Sequence, residues 1–460
     1  MAGHVTINIL SDDVLLCIFY FVQFEVDRLR HLTWWHRLAH VCRRWRSIIF
    51  ASPNSLDLRI ICTPWTPAEL LGIWPPLPII ITNMLHQHMF YYHSDAAIAH
   101  RNRVCEIDLH LASPELQQLG SAMQERFPAL VHLKLASSYG GHPILALPDG
   151  FLGGSAPRLQ SLKLNRIPFP ALPNLLLSAT DLVSLTLWDI PHSGYISPEV
   201  MVTHLAVLTN LESLVIEFRS PLSRPDKESR RPPLITRTIL PTLAQLEFQG
   251  VSEYLEDFTA RIDTPLLGSI SITFRFFHQS AFDVPELAQF IRRTTRMEAI
   301  NEAHVDFSHY GVVVESLPPT LTFDEKPGFR ISCEDADLDP SSLARVFTSL
   351  FPSVYIVEHL YIYGSEYLQR QDDIENMRWL EIFQPFTAVK SLYVSEEFTQ
   401  YIAPAMQELR ERATDVLPAL ESLFLEEPQA SDTLQEAFGQ FVAARQLLGH
   451  PVAVSHWDRT

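Results

Sequence analysis

Three aspartates at alternate positions, Asp335, Asp337 and Asp339, imitate the opening of a calcium-binding loop, in which carboxylates converge on one cation. The rest of the loop is missing: Pro340 stands where glycine must make the turn, and Val346 where a bidentate glutamate would close the shell. His86 and His88 are two apart, as zinc ligands can be, but no cysteine or carboxylate accompanies them locally. Gly153-Gly154-Ser155 could cradle a phosphate or raise a nucleophile, yet no strand-turn-helix pattern frames it, and a loop between repeats is the simpler reading. A Gly-x-Ser-x-Gly elbow, a His-Glu-x-x-His helix and a phosphate-loop lysine are all absent from the sequence. The expectation is a protein without catalytic residues, metal or cofactor, and not an enzyme.

Composition narrows the partners. The 460 residues carry 53 acidic and 35 basic side chains, a net charge of −18, which repels nucleic acid and anionic membranes. The 33 prolines against 16 glycines argue against glycine-dependent nucleotide folds, and 47% hydrophobic residues argue against extensive disorder. Five cysteines (Cys17, Cys42, Cys62, Cys105 and Cys333), odd in number and widely spaced, indicate neither a disulfide framework nor a zinc site. A reducing compartment follows, cytoplasmic and/or nuclear. The apolar stretch Val14 to Val22 follows Asp12 and Asp13 instead of a basic region, and it is too short to span a bilayer. Arg219 to Arg237 is polar, proline-containing and basic; it reads as a surface loop, with a nuclear-localisation or partner-binding patch as the sharper alternative.

The elements that would have to do the work begin at Leu10, where LSDDVLLCIFYFV predicts a helix capped by Ser11 or Asp12 and apolar nearly all round. Such a helix needs cover on every side, more than the segment up to Pro53 can give. A second helical period places Trp34, Trp35, Leu38, Val41, Cys42, Trp45, Ile48 and Ile49 along one stripe. Residues 1–60 hold seven basic and five acidic side chains, so a piece near +2 precedes an acidic remainder, which marks a separate module. LSDDVLLCIF followed by VCRRWRSI resembles an F-box, the helical module that docks a Skp-type adaptor of cullin–RING ubiquitin ligases. The resemblance covers residues 6–53 and implies adaptor contacts from Leu10, Ser11, Val14, Leu15, Ile18, Phe19, Val41, Cys42 and Trp45. The family has Leu-Pro where this chain has Leu10-Ser11, which removes a rigid start to the helix.

Beyond Pro53 one phrase recurs: a proline, then apolar residues two, five and seven places later. It is clean at Pro128, Pro157, Pro241, Pro265 and Pro418, and copies without proline begin at Val104, Leu182, Leu211, Ile300, Val357 and Val389. With a blurred copy near Phe329 to Cys333, the mean spacing is about 29 residues, within the range of leucine-rich repeats. The last two apolar positions alternate with polar ones, as in a strand with one buried face, and the proline is expected at the strand's first position. Helices such as Pro114 to Phe127, capped by Ser113, fall between. The expected fold class is α/β, a short F-box followed by an irregular leucine-rich-repeat-like solenoid with a curved parallel sheet and helices on the convex side. This layout resembles the large fungal F-box families, as does IWPPLPII at Ile73 to Ile80. Ser138, Ile167 and Ile190 stand where an asparagine or cysteine ladder would be, so the repeats are degenerate.

The domain organisation that follows is 6–53 F-box, 54–103 linker and first irregular repeats, 104–428 array and 429–460 C-terminal helix and cap. The polar positions between strand apolar residues share one face. They are mostly bland, such as His132, Lys134, Ser161 and Lys163, but the last repeats place Tyr361, Tyr363, Tyr393 and Phe424 there, with Glu426 beside them. Either these aromatics form a protein-binding surface, or they pack on one another or under the helix from Asp432 to Leu448. The resemblance implies a substrate-recognition subunit of an SCF-type ligase, with a Skp-type adaptor, a cullin through it, and a target protein on the array. The alternative is a repeat scaffold or regulatory protein acting by protein binding without ubiquitin transfer.

Overall fold

The structure, a computed structural model, describes residues 7–24, 34–53, 55–63, 69–73, 75–83, 95–138, 146–225, 236–275, 284–294, 301–308, 311–317, 329–333, 357–364, 379, 383–408, 415–426 and 432–457. The three aspartates at 335, 337 and 339, the histidines at 86 and 88, and residues 226–235 of the basic segment lie outside the described residues. The chain divides into two units, Met1–Gly194 and Tyr195–Thr460.

Among its described residues the first unit opens with the α-helices α1 (Asp12–Phe24), α2 (Trp34–Ala39) and α3 (Arg43–Ala51). The predicted second helical stripe is therefore broken. Cys42 is extended (φ −157°, ψ 170°) and caps α3, its Sγ accepting from the Trp45 N–H at 3.4 Å. The strands described after them are β1 (Ile60–Cys62), β2 (Ile79–Thr82), β3 (Val104–Leu111), β4 (His132–Ser137), β5 (Ser161–Asn165) and β6 (Ser184–Ile190). They lie side by side in chain order, each parallel to the next. The sheet thus starts at Ile60, inside the stretch read as linker and first irregular repeats. Between β3 and β4 runs α4 (Ser113–Ala122), which ends five residues before Phe127. Its cap is Ala112, whose N–H is taken by Glu115 Oε2 at 2.9 Å, so Ser113 is its first helical residue instead of its cap.

The second unit has a sheet of β7 (Ser213–Phe218), β9 (Gln245–Gly250), β11 (Ser269–Phe274), β12 (Glu302–Ser308), β13 (Gly311–Leu317), β14 (Phe329–Cys333), β15 (His359–Gly364), β16 (Ser391–Val394), β17 (Ser422–Leu425) and β18 (Ala453–His456) among its described residues. β8 (Thr238–Ile239) and β10 (Ile262–Asp263) form a small parallel pair apart from it. The helices among its described residues are α5 (Pro198–Leu205), α6 (Ser252–Ala260), α7 (Pro285–Arg293), α8 (Glu396–Glu408) and α9 (Asp432–Leu447). The strand order is β7-β9-β11-β14-β13-β12-β15-β16-β17-β18. β13 is antiparallel to both neighbours, so β12, β13 and β14 form a meander that returns the chain toward β11 and interrupts the parallel array. The C-terminal cap supplies β18, a strand as well as a helix.

The recurring proline marks a turn, not a strand start. In all five clean copies the strand begins four residues after it, at His132, Ser161, Gln245, Ser269 and Ser422. At Pro128, Pro157, Pro265 and Pro418 the residue before the proline accepts a hydrogen bond from the residue two after it, as in Phe127 O with Leu130 N at 3.1 Å. Proline therefore occupies the second position of a β-turn, where its fixed φ belongs. Leu130, Leu159, Leu243, Leu267 and Leu420, which close these turns, are all at most 2% exposed. With the two strand positions that follow, all buried except Leu425, they form the core, each full burial stabilising by about 2 kcal/mol. The opposite sheet face carries the predicted polar positions, of which His132 and Gln245 are exposed and Lys134, Ser161, Lys163, Ser184, Thr186, Glu247, Ser269 and Ser271 are half-buried.

Candidate protein-binding surfaces

In the helical module Ser11 does cap α1, its Oγ accepting from the Val14 N–H at 3.3 Å, and Asp12 and Asp13 occupy the positive first turn. Arg44 fastens this end to α3: its guanidinium donates to Asp12 Oδ1 at 2.6 and 2.9 Å and to the Leu10 carbonyl at 2.6 Å. Inside, Phe19 meets Trp45 with ring centroids 4.9 Å apart, and the Trp35 indole donates to the Arg59 carbonyl at 3.1 Å. Leu15, Phe19, Trp35, Ala39 and Ile49 are fully buried.

The apolar surface of α1 is thus two faces. Leu15 and Phe19 point into the module, so they hold it together and are not available to an adaptor as the resemblance implied. Leu10, Cys42 and Trp45 are half-buried. Val14, Ile18 and Phe21, at helical positions i, i+4 and i+7, are exposed, Phe21 by 70%, and so are Ile9 and Val41 by 69% and 57%. Ser11 is exposed as well. Phe21 and Ile9 were missing from the predicted contacts, although the spacing from Val14 through Ile18 to Phe21 was readable.

The second unit places the predicted aromatics in one row. In-register strands align Tyr361 with Tyr393 and Tyr393 with Phe424, and β12 adds His304 opposite Tyr361. Ring centroids are 4.3 Å apart for His304 and Tyr361, 4.2 Å for Tyr361 and Tyr393, and 4.5 Å for Tyr393 and Phe424, with interplanar angles of 7°, 11° and 6°. The spacing is close to that of the strands, which is why identical register positions stack. Tyr363 lies two residues along, edge-on to His304 at 6.0 Å. Trp457 meets Tyr361 and Tyr393 edge-on at 6.0 and 5.6 Å. The aromatics therefore pack on one another, half-buried, and the C-terminal contact to them comes from Trp457 after β18. Sequence reading missed His304 and Trp457; the alternation in EAHVDFS marked the position of His304 without marking its role.

Burial depresses the His304 pKa to about 4, so the imidazole is neutral, and its Nε2 stands 3.8 Å from Glu302 without a hydrogen bond. Burial, then the nearby Tyr393 and Glu302, raise the Tyr361 phenol above its ordinary range; Tyr361 also hydrogen-bonds Tyr393. Glu426, expected beside the aromatics, accepts from the Glu396 N–H at 3.2 Å at the start of α8.

Among the described residues no three His, Cys, Asp or Glu side chains gather as a metal site, and burial pushes the Cys62 and Cys105 thiols up to about 11, away from nucleophilic thiolate. The Gly153-Gly154 pair is a tight turn at φ +64° and +65°; a Cβ on Gly153 would stand 2.8 Å from Arg126 Cγ. No helix among the described residues is long and apolar enough to cross a membrane. No protein-family model and no curated protein matches the chain.

Proposed function

We propose that this chain is the substrate-recognition subunit of a cullin–RING, SCF-type ubiquitin ligase, with residues 6–53 as an F-box and the sheet as a degenerate leucine-rich-repeat array presenting a target. The observation that carries this reading is the uncovered α1 face: Val14, Ile18 and Phe21 stay in solvent on a module whose interior is already closed. Contiguous exposed apolar side chains on a small helical unit are what an obligate docking surface requires. The protein would work by proximity, holding a target near transfer chemistry performed by other subunits, in the cytoplasm or nucleus.

Co-purification with a Skp-type adaptor and a cullin tests the reading. Ile18→Asp and Phe21→Asp should each weaken adaptor capture about 100-fold, since either places a charge in an apolar contact. Both positions are exposed, so the module should stay folded. Absence of adaptor from the unmodified sample overturns the proposal, and adaptor without cullin points to the scaffold role.

A further inference from the structure

The net charge is not spread along the chain. Residues 1–194 contain 14 acidic and 14 basic side chains, whereas residues 195–460 contain 39 and 21, and from 301 onward the numbers are 26 and 10. The aromatic row lies in that last, most acidic stretch. Nothing in the row opposes the sign: His304 is neutral, and Glu302 stands beside it. Lys390, on the loop leading into β16, is tied to Glu358 at 2.7 Å. Stacking uses the ring faces inside the row, but the row stops at Phe424, because the aligned residue of β18 is Ser455. The far face of Phe424 has no ring against it among the described residues, and Trp457 touches the tyrosines by edge contacts only.

Electron-rich ring faces set in an acidic field attract cations, guanidinium above all, because it can stack and donate hydrogen bonds at once. An acidic or nucleic-acid partner would be repelled by the same field. We propose that this row is a docking surface for a basic peptide segment, with arginine side chains lying on Phe424 and Trp457 at one end and a further basic side chain facing Glu302, three strands away at the His304 end. The inference stands apart from the adaptor reading, since peptide binding needs no other subunit and either can fail alone.

The test uses the full chain and fluorescein-labelled (Arg-Gly)4, (Lys-Gly)4 and (Glu-Gly)4 peptides, read by anisotropy at physiological salt. The arginine peptide should bind saturably, the lysine peptide several-fold more weakly and the glutamate peptide not at all. Phe424→Leu and Trp457→Leu should each cost about tenfold, and Glu302→Gln less. Hydrogen exchange on the unmodified protein should slow in β15 to β18 when the arginine peptide is added, a readout independent of how any variant folds. No saturable binding, equal binding by the Phe424 and Trp457 variants, or protection confined to other strands overturns the proposal. So does a self-associated protein in which a second copy excludes the peptide.

Discussion

His304 sits in the aromatic row with 16% of its side chain exposed and a pKa of about 4, against 6.5 for an unburied imidazole. Between those values the unfolded chain binds more protons than the folded one, so stability is full above about pH 6.5, falls as pH drops, and levels off below about 4. The loss is at most about 3 kcal/mol, set by the difference between the two pKa values. His304→Phe keeps the stack and removes the proton, so its urea midpoint should fall less than that of the unmodified protein between pH 7 and 4.5. Equal pH slopes would contradict a buried neutral imidazole. Arg445 makes a different argument: fully buried in α9, it donates to the carbonyls of Leu417, Pro418 and Leu420 at 3.4, 3.1 and 2.9 Å. Arg445→Met should destabilise by about 2–4 kcal/mol, because three carbonyls lose a charged donor; a urea melt with an unchanged midpoint would refute it. Tyr361, Tyr393 and Phe424 were legible from strand alternation alone. Arg445 was not, since an arginine on a helix reads as a solvated charge until the loop it grips is known, and Trp457 was not, since nothing in AVSHW resembles the repeat phrase.

At the level of elements, the two apolar strand positions of every repeat copy, from Ile107 and Leu109 to Leu423 and Leu425, fall on strands. Period-two burial is a local property, which is why it survived the loss of the proline in half the copies. Order is not local. β13 lies antiparallel between β12 and β14, a pairing set by contacts distant in sequence, and its own GVVVESL gives no sign of direction. The break between α2 and α3 was also missed, because Val41 and Cys42 keep the helical spacing while their backbone leaves the helix. Its cap is weak: thiol sulfur is a poor acceptor, and α3 has no acidic residue in its first turn. Cys42→Ser places a hydroxyl where the thiol now accepts from Trp45 N, and should stabilise the module by about 0.5–1 kcal/mol, read as slower hydrogen exchange in α3. An unchanged or faster rate would show that the thiol's packing, half-buried beside Trp45, outweighs its acceptor role.

Over the whole molecule the decisive quantity is where the charge resides. Acidic and basic side chains balance in residues 1–194, and the entire excess of −18 belongs to residues 195–460. Like charge concentrated on one folded unit opposes its compactness, at a cost that mobile ions reduce. Raising salt from about 20 to 300 mM shortens the screening length from roughly 20 Å to roughly 6 Å, enough to damp repulsion between neighbouring surface carboxylates. The surface pairs of both units, such as Lys134 with Asp108 at 3.0 Å and Lys390 with Glu358 at 2.7 Å, are weakened by the same change. In the balanced unit that loss has little to offset it, whereas in the acidic unit the relief of repulsion exceeds it. Hydrogen exchange along the intact chain should therefore show the amides of β15 to β17 slowing with salt, by an opening free energy of about 1 kcal/mol, while those of β4 to β6 hold steady or quicken. A parallel response in both sets would mean that local ion pairs, not the asymmetry of net charge, govern the stability of each unit.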